Sequence, residues 1–117
     1  MNVLIVDDEE DIGLMISVLL KKEGINAEFK TRVSSAKEMI ERKDYSMFFL
    51  DLNLPDGTGF DLIPLIKKSS ASAHIVVISA YDTKEEKTRA FDLGADLFIR
   101  KPFSKREIID AFKTLTK

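Results

Sequence analysis

Apolar positions along this chain come in two spacings, and their succession outlines a fold. Three short unbroken runs, VLIV (Val3–Val6), MFFL (Met47–Leu50) and IVVI (Ile75–Ile78), are rich in β-branched or aromatic residues. Runs of this length with no polar alternation predict strands buried on both faces. INAEFK (Ile25–Lys30) differs, because Ile25, Ala27 and Phe29 alternate with Asn26, Glu28 and Lys30. That period of two predicts a strand with one wetter side, as at a sheet edge. LFI (Leu97–Ile99) is a fifth, shorter candidate.

Between the runs the spacing becomes helical. Ile12, Met15, Ile16, Leu19 and Leu20 form one continuous stripe, and Gly24 supplies the stop. Weaker stripes cover Val33–Arg42, Phe60–Lys68 and Lys84–Leu93, the last closed by Gly94. Ser104 with Glu107 forms a capping box ahead of a final stripe of Ile108, Ile109, Phe112 and Leu115. Strand and helix therefore alternate five times. Strands joined by helices run parallel with right-handed crossovers, and helices cover both faces. Three doubly buried strands belong in the centre and the alternating second strand at an edge. The expected fold is α/β, a doubly wound five-stranded parallel sheet of order 2-1-3-4-5.

Composition narrows the class. The 117 residues fit a single domain, expected to run from 1 to 117. A net charge of −2 offers no field to recruit nucleic acid or an anionic membrane. The absence of Cys removes thiol catalysis, thiolate metal sites and disulfides. The first residues lack a basic leader and a cleavage site, and the apolar stretch Ile12–Leu20 is too short to span a bilayer. A soluble cytoplasmic domain is expected.

Ligands of such sheets bind beyond the carboxyl ends of the strands, where the winding reverses. The predicted strands end in Asp7 and Asp8, in Asp51, in Ser79 and, past Arg100, in Lys101. Two carboxylates about 4 Å apart repel by roughly 4 kcal/mol at an effective dielectric near 20. Three together call for a counter-ion, some protonation, or both. Lys101 can offset one charge, and an all-oxygen site without His or thiol suits Mg²⁺ or Mn²⁺. Mg²⁺ takes one or two carboxylates, which leaves an Asp free as a nucleophile able to form an aspartyl phosphate. A hydroxyl and an ammonium are suited to the oxygens of a transferred phosphoryl group.

In order and spacing, VDDEED, DLNLPDGTGFDL, ISAYD and IRKPF resemble the motifs of the receiver domain of two-component response regulators, the CheY-like family. The likeness covers essentially the whole chain. It implies that Asp51 accepts a phosphoryl group from a phosphohistidine, on a histidine kinase or a histidine phosphotransfer protein. It also implies Mg²⁺ held by Asp8 directly, by Asp7 mostly through water, by Asp51 and by the Asn53 backbone carbonyl. Ser79 and Lys101 would hold the phosphoryl oxygens, and the Lys101–Pro102 bond would be cis. Phe98 would be an aromatic switch that reports to the face of the fourth helix, fifth strand and fifth helix, where an output partner binds. Asn53 and Tyr81 match positions flanking the path of attacking water. The resemblance implies a signalling domain, not an enzyme, with only self-phosphotransfer and slow autodephosphorylation.

Blander readings compete at several positions. Glu9, Glu10 and Asp11 are assigned to the positive end of the first helix. His74, before a strand on the opposite rim, is read as a surface residue. Gly57 and Gly59 serve a turn, since no phosphate-binding glycine-lysine loop is present. The interspersed charges from Lys84 to Glu107 read as a solvated face, not a nucleic-acid patch. Three other functions share parts of this pattern. A haloacid-dehalogenase-like phosphatase also forms aspartyl phosphate but wants a second Asp where this chain has Asn53. A phosphate-independent interaction module would not need the complete site. A flavodoxin shares the winding, but the acidic loop after the first strand would repel the flavin phosphate.

Overall fold

The computed structural model describes residues 1–117. Five parallel strands form one sheet: β1 (Val3–Val6), β2 (Ala27–Lys30), β3 (Met47–Asp51), β4 (His74–Ser79) and β5 (Leu97–Arg100). Their spatial order is β2-β1-β3-β4-β5, the doubly wound order predicted from burial patterning. Helices α1 (Glu10–Lys22), α2 (Val33–Arg42), α3 (Gly59–Ser69), α4 (Lys84–Leu93) and α5 (Lys105–Leu115) fill the crossovers. Every residue of β1 and β3 is buried, whereas all four of β2 are only partly so, as its edge place requires.

The unbroken apolar runs reflect two cores. Leu4, Val6, Phe48, Leu50, Ile75 and Val77 pack with α2, α3 and α4 on one face. Val3, Ile5, Met47, Phe49, Val76, Ile78 and Ile99 pack with α1 and α5 on the other. Successive strand residues point to opposite faces, so a strand between two helix layers must be apolar at every position.

The differences from the sequence reading lie at element ends. β2 begins at Ala27, not Ile25, because the Ile25 amide donates to the Leu20 carbonyl as the chain leaves α1. β3, β4 and β5 each take in the polar residue that follows their apolar run, so Asp51, Ser79 and Arg100 are ladder residues. β4 also begins one residue early, at His74. A two-residue antiparallel ladder, Asn53–Leu54 against Gly57–Thr58, closes the loop between β3 and α3 and was not foreseen. Two-residue ladders carry no hydrophobic period.

Gly13 shows a constraint invisible to patterning. A Cβ there would lie 2.1 Å from the Phe29 ring, so α1 rests on β2 only because this position has no side chain. Gly13→Ala would gain about 1 kcal/mol of helix propensity. Overpacking typically costs about 1–3 kcal/mol, so a net loss is expected, read as a lower urea midpoint with unchanged slope.

Candidate functional site

Three parallel strands deliver their last residues to one rim. The register pairs Val6 with Leu50 and Asp51 with Ile78, so Asp7, Asp51 and Ser79 end neighbouring strands within one residue of each other. Asp7, Asp51 and Ser79 are the buried polar residues, at 1 %, 3 % and 0 % exposure. Asp8 beside them is exposed. Alternation carries Asp7, Asp51 and Lys101 toward the α1/α5 side of the sheet. Ser79 and Phe98 belong by the same rule to the α3/α4 side, where Phe98 packs on the core.

Lys101 joins the acids. Its Nζ lies 3.1 Å from Asp51 Oδ2, 3.0 Å from Asp7 Oδ2 and 3.1 Å from Glu9 Oε1. The Lys101 amide donates to the Ser79 carbonyl at 2.9 Å, which fixes the stem of the lysine beside β4. The Lys101–Pro102 bond is cis, as the resemblance implies. Asp51 Oδ1 accepts from the Asn53 amide at 3.1 Å, and Asp7 Oδ1 from the Glu9 amide at 2.9 Å. Ser79 Oγ accepts from the Tyr81 amide at 3.1 Å, while the Tyr81 side chain is exposed.

Burial sets the acid–base character of the cluster. It pushes the Asp51 carboxyl up to about 7, helped by the charge of Asp7 and opposed by the Asn53 amide and Lys101. Burial likewise raises Asp7, against the Glu9 amide and the ammonium. For Lys101 burial acts downward, but its hydrogen bond to Asp7 and the charges of Asp51 and Asp7 hold it above its ordinary value. One ammonium is therefore too little for the carboxylates it faces.

The donor set fits a hard cation. Asp7, Asp8 and Asp51 each offer an oxygen, and the three lie within 4.8 Å of one another. Asp7 Oδ2 is buried without a hydrogen bond, because its approach to the ammonium lacks hydrogen-bond geometry. A buried carboxylate oxygen without a hydrogen bond of its own is costly unless something coordinates it. The acidic cluster can bind a metal.

The packing of Gly59 holds Asp51 in place. A Cβ at Gly59 would fall 2.3 Å from the Asp51 backbone carbonyl, and the Gly59 amide donates to the Leu52 carbonyl at 2.9 Å. Gly59 thus serves close backbone approach at the start of α3. Glu9 stands at the N-cap position of α1, at the helix end where the sequence put it, and its carboxylate also reaches Lys101. Asp56 was not singled out from sequence, yet its carboxylate accepts the Val33 and Ser34 amides at 2.7 and 3.0 Å. The signal available was α2 itself, which starts after Arg32 with no acid in its first turn. His74 lies at the opposite rim, 3.7 Å from Asp96, away from the acids.

The raised Asp51 value carries a sign. The folded chain holds its proton up to about pH 7, whereas an unfolded Asp releases it near pH 3.9. Metal-free stability attributable to Asp51 is therefore full below about pH 4 and is lost as pH rises through 7. Asp51→Asn should stabilise the metal-free protein by about 1–3 kcal/mol at pH 8, a gain that fades toward pH 4. Urea unfolding at both pH values in EDTA checks this, and a pH-independent difference would contradict it.

A family model for the response regulator receiver domain matches residues 3–113. The cell cycle response regulator CtrA of Brucella ovis is 32% identical over 109 residues, covering 93% of this chain and 47% of that protein. The chain thus spans about half the length of the curated relatives it matches. The non-phosphorylated HemR receiver domain from Leptospira biflexa superposes with a TM-score of 0.91 at 31% identity, covering 97% of this chain and 92% of that one. The beryllofluoride-activated NtrC4 receiver domain, described as a dimer, gives 0.91 at 31% identity over 97% of this chain and 94% of that one. No helix of the chain is long and apolar enough to cross a membrane. With the matched segment running from the first residue of β1 almost to the end of α5, the chain belongs to the response regulator receiver domains of two-component systems.

Proposed function

We propose that residues 1–117 act as one receiver unit, a phosphoacceptor switch in which Asp51 takes a phosphoryl group from a phosphohistidine. The observation that carries this reading is the buried Asp51 carboxylate at the end of β3, with Lys101 Nζ 3.1 Å from it inside an acidic cluster. The HemR and NtrC4 relatives, described in non-phosphorylated and beryllofluoride-activated forms, support the same chemistry. The donor is a histidine kinase or a histidine phosphotransfer protein, and the output partner is a further protein. The setting is cytoplasmic, without direct contact to nucleic acid or membrane.

An Asp51 oxygen attacks phosphorus in line. The P–O bond forms as the P–N bond of the donor breaks, and the imidazole nitrogen leaves with the electron pair. Asp7, Asp8, Asp51 and the Asn53 carbonyl would hold Mg²⁺, or Mn²⁺ in its place, and the cation would supply charge neutralisation for carboxylate and phosphoryl oxygens. Lys101 keeps its proton at working pH and pairs with a phosphoryl oxygen. The Ser79 hydroxyl is held by the Tyr81 amide. It exchanges that contact for a phosphoryl oxygen and moves the β4–α4 loop. Phe98, half-buried against the α2–α4 core, follows and alters the α4-β5-α5 face. This is a two-state element biased by the contacts of one added group. The unit turns over no external substrate beyond its own phosphorylation and slow autodephosphorylation. Asn53 stands where a haloacid-dehalogenase-like phosphatase would need a second acid.

Two measurements follow. Intact-protein mass after acetyl phosphate with Mg²⁺ should show one added phosphoryl group in the wild type. None should appear in Asp51→Asn or in the presence of EDTA, whereas a gain in Asp51→Asn would place the acceptor elsewhere. Ser79→Ala should still gain the group, but the ring resonances of Phe98 should no longer shift on phosphorylation. A full Phe98 response in that variant would break the proposed relay.

A further inference from the structure

The loop that follows Asp51 is tied to a distant helix. Its tip residue, Asp56, accepts the Val33 amide on Oδ1 at 2.7 Å and the Ser34 amide on Oδ2 at 3.0 Å. These are the first two amides of α2, which a helix leaves without internal partners. Arg32, the residue before α2, makes no side-chain cap, so the cap comes from the β3–α3 loop. The geometry uses both carboxylate oxygens, a charge-assisted fork onto a helix N-terminus. Those amides, Ser34's above all, hold the Asp56 carboxyl below its ordinary value. Gly57 completes the contact, since a Cβ there would lie 3.1 Å from Val33 Cγ2.

The same loop carries the Asn53 end of the acidic site. Asn53 pairs with Thr58 and Leu54 with Gly57, so the tip and the base are one short ladder. The Asn53 amide is bonded to Asp51 Oδ1, and the Gly59 amide to the Leu52 carbonyl. The ladder thus links Asp56 at the tip to Asn53 at the base. On the other side, α2 follows β2, whose last residue Lys30 accepts the Asp7 amide at 3.1 Å. The clamp thus closes a circuit from Asp7 through β2, α2 and the loop back to Asp51.

We infer that Asp56 is a positioning residue of the acidic site: its fork onto α2 holds the Asn53 loop in metal-binding geometry, and cation binding in turn orders the first turn of α2. The inference rests on the proposed metal-binding role of the cluster. Coupling of this kind is reciprocal, so both directions can be measured. Groups that orient metal ligands typically contribute roughly 10–100-fold in affinity. A loop carbonyl supported through an exposed fork belongs at the lower end, about 10-fold.

The test separates the clamp from simple helix capping. Asp56→Ala removes both, whereas Asp56→Ala with Arg32→Ser gives α2 a cap of its own at a residue already extended (φ −136°, ψ 153°). Mg²⁺ titration and amide exchange are followed on both variants, on the wild type and on Asp51→Asn. In the wild type, Mg²⁺ should slow exchange of the Val33 and Ser34 amides. The double variant should keep a protected α2 but bind Mg²⁺ about 10-fold more weakly and lose the Mg²⁺ effect on α2. Wild-type affinity in the double variant would overturn the positioning role and leave the cluster's metal binding intact. A wild type that binds no better than Asp51→Asn would refute the reading of the cluster, and the coupling with it.

Discussion

The structure turns on one ammonium placed among carboxylates that the parallel sheet cannot keep apart. Asp7 and Asp51 end adjacent strands, and Lys101 Nζ lies 3.0 and 3.1 Å from their oxygens. In a parallel sheet all carboxyl-terminal strand ends share one rim, so polar residues placed there are collected whatever their separation along the chain. The fold then has to manage buried like charge, and it does so incompletely. Asp51 is pushed up to about 7 by burial and by Asp7, even with the ammonium beside it. An incompletely neutralised acidic cluster is a poor device for stability and a good one for binding a cation.

That cluster is held from behind by close packing. The carbonyl of Asp51 leaves no room for a side chain at Gly59, so β3 and α3 meet at van der Waals distance just behind the acid. On the far side of the sheet, α1 presses Gly13 on the Phe29 ring. The acids therefore project from a segment buried on both faces, where displacement would disturb two cores at once. The loop from Leu52 to Thr58 anchors Leu52 and Leu54 in the α2–α4 core, while its other residues lie at the surface. Those surface residues are held by polar contacts, the two-residue ladder and the Asp56 fork.

The two sides of the sheet divide the labour. Asp7, Asp51 and Lys101 fall on the α1/α5 side by alternation, whereas Ser79 and Phe98 fall on the α3/α4 side. In the proposed switch, a change at Asp51 that engages Ser79 would pass from one side of the sheet to the other at the end of β4. On that proposed route the Ser79 hydroxyl, held by the Tyr81 amide, would exchange this contact for a phosphoryl oxygen. Phe98, with the ammonium of Lys87 5.9 Å from its ring centroid, sits where such a movement would reach α4 and β5.

Much of this was legible in the amino-acid sequence, because burial on both faces leaves a mark at every position. The three unbroken runs predicted three central strands, and the alternation of Ile25–Lys30 predicted an edge. The helical stripes and the Ser104–Glu107 box marked the crossovers, and the strand ends pointed to Asp7, Asp8, Asp51, Ser79 and Lys101. Those readings rest on periodicity, which a chain must carry locally if it is to bury the right face. Tertiary structure alone decided the rest. Glu9 meets Lys101 across 92 positions, and Asp56 caps a helix that begins 23 residues earlier. Gly13 is required by an aromatic ring on another element. None of these contacts repeats with a period, since each depends on which surfaces the crossovers bring together, and that geometry exists only once the sheet has formed.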